Sequence, residues 1–381
     1  LVFTGGGTGG HIYPGLAVVE ALRARAFAGR IAWIGSNKNS DREAVEAAGI
    51  EFFPIPAGKL RRKFSLTNVA DAFRVLAGYF GSRRILKSLK PVLLFSKGGY
   101  VSVPPCAAAA SLGIPYFTHE SDVTPGLATR LNAGRAETIV LSYEETRELL
   151  PAASRAKAVV AGNPVRAVFH SAVEHSAMFH RTAFRNADPA RGRAQLGVPD
   201  GLPIVFFLGG SQGARQINEL CAAAFPRLRE SAFVVHQTGE SGAGGAPSAA
   251  FSNGPRYRSF SFIREEMSDL LAAADLVVGR AGAGTLWECA ALGKPMILVP
   301  LCGSGTRGDQ VDNAALFARC GAAISLVGQE ATADRLVPEI LGLLSDRRRL
   351  TALGEAARAL AGRDAASEIA ELILKRIGEL P

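Results

Sequence analysis

Thr4 to Pro14 reads TGGGTGGHIYP, with five glycines in six positions directly after the apolar residues 1–3. Without Cβ atoms the amides of such a turn stand bare ahead of a helix start, and amides there favour an anion, typically a phosphate. Gly5, Gly7 and Gly10 also satisfy G-x-G-x-x-G, the dinucleotide fingerprint. Neither pattern accounts for His11. A second glycine turn, Gly209-Gly210-Ser211-Gln212-Gly213, follows the apolar run 204–208, and its amides with the Ser211 hydroxyl suit a diphosphate. The densest polar group is Arg280-Ala281-Gly282-Ala283-Gly284-Thr285-Leu286-Trp287-Glu288. Its small residues let backbone approach a ligand closely, and the Glu288 carboxylate can accept two ribose hydroxyls. Equally, Thr285 and Glu288 have the spacing of a T-x-x-E capping box.

The dinucleotide reading requires an acidic residue at the end of the next strand, about 20 residues on, to bind a ribose. Here the run 31–34 ends in Gly35-Ser36-Asn37-Lys38. The carboxylate is absent, which argues against a nicotinamide or flavin enzyme.

Strands have to hold these motifs. Apolar runs at 1–3, 31–34, 51–55, 92–95, 116–119 and 138–142 alternate with helical stretches such as 15–25, and a second series follows at 204–208, 233–237, 257–261, 276–278, 296–299 and 322–326. Alternation of this kind predicts an α/β protein with parallel sheets, whose ligands bind beyond the carboxyl ends of the strands. Ser96-Lys97-Gly98-Gly99-Tyr100 and His119-Glu120-Ser121-Asp122 lie at such ends. At 381 residues the chain calls for two domains. The turn-rich joint Gly162-Asn163-Pro164-Val165-Arg166 divides 1–162 from 163–363, and the tail reads as two amphipathic helices broken near Gly362-Arg363, the last (364–381) expected to join the first domain.

Composition narrows the class further. No apolar run approaches the roughly 18 residues of a membrane span. No charged-then-apolar leader is visible; the chain begins at Leu1, so a short preceding segment is expected. Five dispersed cysteines without C-x-x-C point to neither a disulfide framework nor a zinc knuckle, and fit a reducing cytoplasm. His170, His175 and His180 do not share one helical face, so no metal site is expected there. The net charge of +9 divides into +8 for residues 1–165 and +1 for the rest. Window 59–90 holds nine basic residues against one acid, Asp71, but no stacking platform or nucleic-acid motif accompanies it.

Taken in order and spacing, Thr4 to His11, Ser96 to Tyr100, Gly209 to Gly213 and Arg280 to Ala283 resemble the MurG family, bacterial transferases that move N-acetylglucosamine from UDP-GlcNAc to lipid I to form lipid II in peptidoglycan synthesis. The likeness runs to about Gly321. It implies the GT-B fold, two Rossmann-like parallel-sheet domains facing across a cleft, with the acceptor on the first and the donor on the second. For the donor, Phe262 and Ile263 would meet the uracil, Glu288 the ribose, Ser211, Gln212 and Arg166 the phosphates, and Asp309 with Gln310 the sugar. For the acceptor, Thr8, Gly9, Gly10 and His11 with Lys97, Gly98, Gly99 and Tyr100 would cradle the lipid diphosphate. The reaction displaces UDP at the anomeric carbon with inversion. His11 matches the base, the alternative being that it orders the glycine turn. Glu120 and Asp122 are candidates to assist or replace it. Helix N-termini and Arg166 would stabilise the leaving diphosphate, so no cofactor or metal is required and UDP-GlcNAc is a substrate.

Two motifs depart from the family's usual form: His119-Glu120-Ser121-Asp122 stands where H-E-Q-N is typical, and Asp309 where His or Gln precedes Gln310. A lipid acceptor also gives the basic window a role. Leu66, Val69, Phe73, Leu76 and Phe80 recur at helical steps, and with Arg61, Arg62, Arg83 and Arg84 they suit anionic lipids, each cation contributing about 1 kcal/mol. The competing expectation is an amphipathic helix packed on its sheet. The partners implied are UDP-GlcNAc, undecaprenyl-linked lipid I, anionic inner-leaflet lipids and other cell-wall synthesis proteins, with no nucleic acid, at the cytoplasmic face of the cell membrane. Alternatives are a lipid glycosyltransferase using another UDP-sugar, a UDP-GlcNAc 2-epimerase, and a non-catalytic nucleotide-sugar sensor or membrane scaffold.

Overall fold

The computed structural model describes residues 1–58, 66–169, 186–210, 213–239, 253–264, 266–303 and 306–378, the side chains of 66–69 aside. Two compact units emerge, Leu1–Arg166 with Arg363–Pro381, and Ala167–Gly362.

Unit 1 is a seven-stranded parallel sheet built from β1 (Val2–Thr4), β2 (Ala32–Ser36), β3 (Glu51–Ile55), β4 (Leu94–Ser96), β5 (Tyr116–Glu120), β6 (Thr138–Leu141) and β7 (Ala158–Val160), in the order β3-β2-β1-β4-β5-β6-β7. The central strands are short, continuous and buried, as strands covered on both faces must be. β7 was not anticipated: three residues are too few to leave a periodic signal. Phe3 stacks on Trp33 at 5.8 Å and meets Phe95 at 5.3 Å. Helix α1 (Gly9–Ala24) packs against that core, as do Ile369, Ala370 and Ile373 of the last helix, Ala365–Gly378. α1 begins six residues earlier than the expected 15–25. Glycines weaken the helical signal of its first turn and Pro14 removes one amide from the second, yet the turn forms, so His11 stands on a helix and not in a loop.

Helices α2 (Asn39–Ala47), α3 (Leu66–Leu89), α4 (Val103–Ser111), α5 (Leu127–Ala133) and the short α6 (Glu145–Leu149) also belong to the unit. α3 corrects the expectation of an apolar stripe packed on the sheet. Its inward face is small and polar in the first turns and apolar only in the last: Asp71, Gly78 and Ser82 are buried, a Cβ on Gly78 would lie 2.2 Å from the Pro56 carbonyl, and Leu86 enters the core with Tyr79, Ile85 and Leu89 against it. Phe73, Leu76 and Phe80 instead point outward, 69%, 51% and 59% exposed. No helix among the described residues is long and apolar enough to cross a membrane.

Unit 2 is a six-stranded parallel sheet of β8 (Ile204–Leu208), β9 (Phe233–Gln237), β10 (Tyr257–Phe260), β11 (Leu276–Gly279), β12 (Met296–Leu298) and β13 (Ala323–Ser325), ordered β10-β9-β8-β11-β12-β13. In both sheets the winding direction reverses beside the first strand, between β1 and β4 and between β8 and β11. A sheet of this kind opens a crevice for ligands at that reversal.

Candidate functional site

All four glycine-bearing motifs leave strands at these reversals: Gly5 to Gly10 after β1, Lys97 to Tyr100 after β4, Gly209 to Gly213 after β8, and Arg280 to Gly284 after β11. In unit 1 the two turns pack on each other. A Cβ on Gly7 would lie 2.8 Å from the Tyr100 ring, and one on Gly99 would lie 2.7 Å from Cδ2 and 2.9 Å from Nε2 of His11. Both glycines also have left-handed backbone, φ 85° and 76°. Thr8 and Gly10 are exposed, with Gly9 and His11 half-buried, so these four form the open side.

The first turn is not bare. The Gly7 amide donates to Asp41 Oδ2 at 2.6 Å; that oxygen also accepts from Ser36 Oγ at 2.6 Å, and Lys38 Nζ donates to the Gly7 carbonyl at 2.7 Å. The chain's own buried carboxylate thus satisfies an amide that the sequence left open to phosphate. Asp41 has the signature of a first-turn acid on α2, and nothing local says that it reaches β1.

Lys97 lies beneath the turns, 1% exposed. Its ammonium donates to Ser121 Oγ and to His119 Nδ1, the latter at 3.0 Å. His119 Nε2 faces the Gly162 carbonyl at 3.0 Å, and a carbonyl only accepts, so Nε2 carries the proton and Nδ1 receives from Lys97. Burial, then the Lys97 charge, pushes the His119 pKa well below that of a free imidazole; burial also draws Lys97 down to about 8 against the pull of Glu120 and Asp122. Glu120 is engaged on both oxygens: Oε1 accepts from the Ser121 and Asp122 amides at 2.9 and 3.0 Å, and Oε2 from the Gly126 amide at 2.9 Å. That geometry shapes the 121–126 loop, while Asp122 is half-exposed. Arg166 belongs to unit 1, its guanidinium 4.6 Å above the Tyr13 ring.

In unit 2 the loops are tethered mostly by neutral groups. A Cβ on Gly213, φ 73°, would lie 2.5 Å from the Thr238 carbonyl. Gln237 Nε2 donates to the Gly210 carbonyl at 3.1 Å, Arg280 to Gln216 Oε1 at 2.8 Å and the Val299 carbonyl at 3.0 Å, and the buried Asn313 to the Ala281 carbonyl at 3.1 Å. The helix Ala283–Ala291 starts from Gly282, which places Thr285 inside it and Glu288 in its second turn. This removes the capping box, because the chain turns helical as soon as its small residues clear β11. Gln310, on the helix Asp309–Arg319, accepts the Leu301 amide at 2.9 Å, and Asp309 pairs with Arg307 at 2.6 Å. Ile263 is buried just past β10, with the Arg264 guanidinium 5.6 Å over the Phe262 ring.

Residues 1–141 match the glycosyltransferase family 28 N-terminal domain, and residues 204–372 the family's C-terminal domain. A Treponema denticola protein named UDP-N-acetylglucosamine--N-acetylmuramyl-(pentapeptide) pyrophosphoryl-undecaprenol N-acetylglucosamine transferase is 46% identical over 98% of this chain and 96% of its own length. A Treponema pallidum protein of the same name is 44% identical over 100% and 96%. The chain belongs to the MurG family of glycosyltransferases. The crystal structure of Acinetobacter baumannii MurG shares the fold at a TM-score of 0.69, with 24% identity and 98% of both chains covered. The same GT-B architecture appears in a Neisseria meningitidis UDP-GlcNAc 2-epimerase, TM-score 0.68 at 13% identity over 98% of both chains. Within the MurG family fold, the sequence's site residues divide by unit: Thr8 to His11, Lys97 to Tyr100, Glu120, Asp122 and Arg166 lie in unit 1, and Phe262, Ile263, Glu288, Asp309 and Gln310 in unit 2. Ser211, Gln212, Arg61, Arg62 and the histidines at 170, 175 and 180 fall outside the described residues, as do the side chains of Leu66 and Val69. Asp41 and Asn313 were missed as site-building residues, since each acts across tens of positions in sequence.

Proposed function

We propose that this chain transfers N-acetylglucosamine from UDP-GlcNAc to an undecaprenyl-linked lipid I, with inversion, forming lipid II. The observation that carries this reading is the pairing of glycine turns at the reversal of each sheet, in a chain that matches transferases of that name along nearly its whole length. Unit 2 would hold the donor through Phe262, Ile263, Glu288, Gln310 and the turn at 209–213, with Arg166 at a phosphate. Unit 1 would hold the acceptor at Thr8 to His11 and the turn at 98–100, with Lys97, expected to face the diphosphate, buried beneath that turn instead. In the step itself the acceptor hydroxyl loses its proton to His11, its oxygen bonds to the anomeric carbon, and the bond from that carbon to the phosphate oxygen breaks to release UDP. Glu120, engaged by three amides, suits positioning better than proton transfer. No cofactor is needed for these steps.

Membrane attachment is peripheral in this reading. Phe73, Leu76 and Phe80 stand outward on α3 beside Arg83, Arg84 and Lys87, an amphipathic face fit for an anionic bilayer from which lipid I is drawn. The cytoplasmic leaflet is the surface on which UDP-sugars meet such a lipid. Incubation with labelled UDP-GlcNAc and a short-chain lipid I analogue should give a labelled disaccharide product and UDP. Saturable UDP-GlcNAc binding without transfer would favour the sensor reading, and conversion to an epimerised UDP-sugar without release of UDP the non-hydrolysing epimerase.

A further inference from the structure

We propose that Lys97 is a positioning residue for the transfer, its buried ammonium fixing the turn on which His11 rests; this deepens the reading above and rests on His11 being the base. Lys97 does not present itself to a ligand. It is 1% exposed, and its ammonium is held from below by Ser121 and by His119, which in turn donates to the Gly162 carbonyl. Its backbone is fixed as firmly: the Lys97 amide donates to the Thr4 carbonyl at 2.8 Å, locking the end of β4 to β1. The next two residues form the left-handed turn, φ 85° at Gly98 and 76° at Gly99. A Cβ on Gly98 would lie 3.0 Å from the His119 carbonyl, so the turn sits directly on the end of β5. A Cβ on Gly99 would collide with Cδ2 and Nε2 of His11, so that edge of the imidazole rests on Gly99 itself. Gly5 is wedged between the two residues: its Cβ would lie 2.8 Å from the His11 carbonyl and 3.2 Å from Lys97 Cβ.

A buried ammonium is expensive unless it is bonded, and here it is bonded to two buried side chains that lose their donor if it is removed. What the ammonium adds is a directional tie from the end of β4 to His119 in β5 and Ser121 in the loop just past it. Lowering of its pKa to about 8 by burial, resisted by Glu120 and Asp122, leaves the ammonium in place at neutral pH to donate to both. Removing the tie loosens the platform under His11 without touching unit 2.

Lys97→Met keeps the stem and removes the charge. In the assay with labelled UDP-GlcNAc and a short-chain lipid I analogue, kcat should fall by about tenfold or more while KM for UDP-GlcNAc is unchanged, with a lower melting temperature from the His119 Nδ1 left without its donor. Combined with His11→Ala, Lys97→Met should lower kcat no further, since both act through one group. A wild-type kcat for Lys97→Met, or additive losses in the double variant, overturns the proposal. Ser121→Ala, which removes one acceptor of the ammonium and little volume, provides the same test should the lysine variant not fold: a smaller loss in kcat alone supports it. A loss confined to KM for the lipid analogue overturns it, because that is the signature of a direct diphosphate ligand. Wild-type protein that makes no disaccharide product would count against the transfer reading itself, separately from the role of Lys97.

Discussion

His119 in unit 1 and His236 in unit 2 sit at the ends of their strands, both buried, both protonated on Nε2 and accepting on Nδ1, yet they are wired in opposite ways. His119 accepts from a buried ammonium. His236 accepts from the neutral Tyr257 hydroxyl at 2.8 Å and donates to Asn218 Oδ1 at 2.9 Å, while the Asn218 amide donates to the Thr238 carbonyl at 3.1 Å. The contrast extends through each site. Unit 1 builds its turns on buried charged side chains, Asp41, Lys97 and Glu120; unit 2 relies mainly on amides and hydroxyls, its charged contacts among those described above being Arg280 and the more exposed Arg307–Asp309 pair. Buried charges hold one geometry stiffly but tie it to protonation state, whereas neutral networks hold a loop with less electrostatic demand. The unit with the charged floor is also the unit with the exposed aromatic face and nearly all the excess positive charge.

Breaking this contrast should start with His11. His11→Ala is expected to lower kcat by roughly 10²–10⁴-fold while leaving UDP-GlcNAc affinity intact, as measured by steady-state kinetics and calorimetry. A wild-type rate would remove unit 1 from the chemistry. The next largest effect lies in unit 2 and concerns stability. Burial holds the His236 pKa at about 4, below the ordinary value of about 6.5. The unfolded chain therefore binds the proton more readily between those values, so the contribution is full above pH 6.5 and declines as pH falls to 4, by on the order of 3 kcal/mol. Urea midpoints recorded across that range should show the decline, and a His236→Gln variant should flatten it; an equally steep variant would assign the acid sensitivity elsewhere, His119 being the first alternative.

Smaller effects sharpen the division of labour. Glu288→Ala should raise KM for UDP-GlcNAc by about tenfold with kcat largely kept, which initial-rate kinetics would reveal. An unchanged KM would take Glu288 out of donor recognition. Neutralising Arg83 and Arg84 should weaken binding to anionic vesicles by about 1 kcal/mol per charge, with a weaker dependence on salt, in a vesicle sedimentation assay. Binding unaffected by those changes would shift the membrane role to Phe73, Leu76 and Phe80 alone.

Much of the architecture was legible because its signals are local. Alternating apolar runs announced all the strands except β7, and glycine turns after β1, β4, β8 and β11 marked the ends that matter. The misreadings have a common source. α1 was begun too late because glycine and proline mask a helix whose tertiary packing overrides propensity. The Thr285–Glu288 box failed because spacing alone does not say where a helix starts. Phe73, Leu76 and Phe80 of the α3 stripe face outward because Gly78 lets the helix lie against Pro56 on its small side, a choice the apolar periodicity cannot express.

By itself, then, the sequence determined which residue types stand at the strand ends, how charge divides between the halves, and the family to which the ordered motifs belong. Only the tertiary structure decided which polar groups satisfy one another. Asp41 reaches Gly7 across 34 residues and Lys97 reaches Ser121 across 24. A lysine after a strand reads as a free cation until the fold removes it from water, and whether an amide is open to a ligand depends on which distant side chain arrives first.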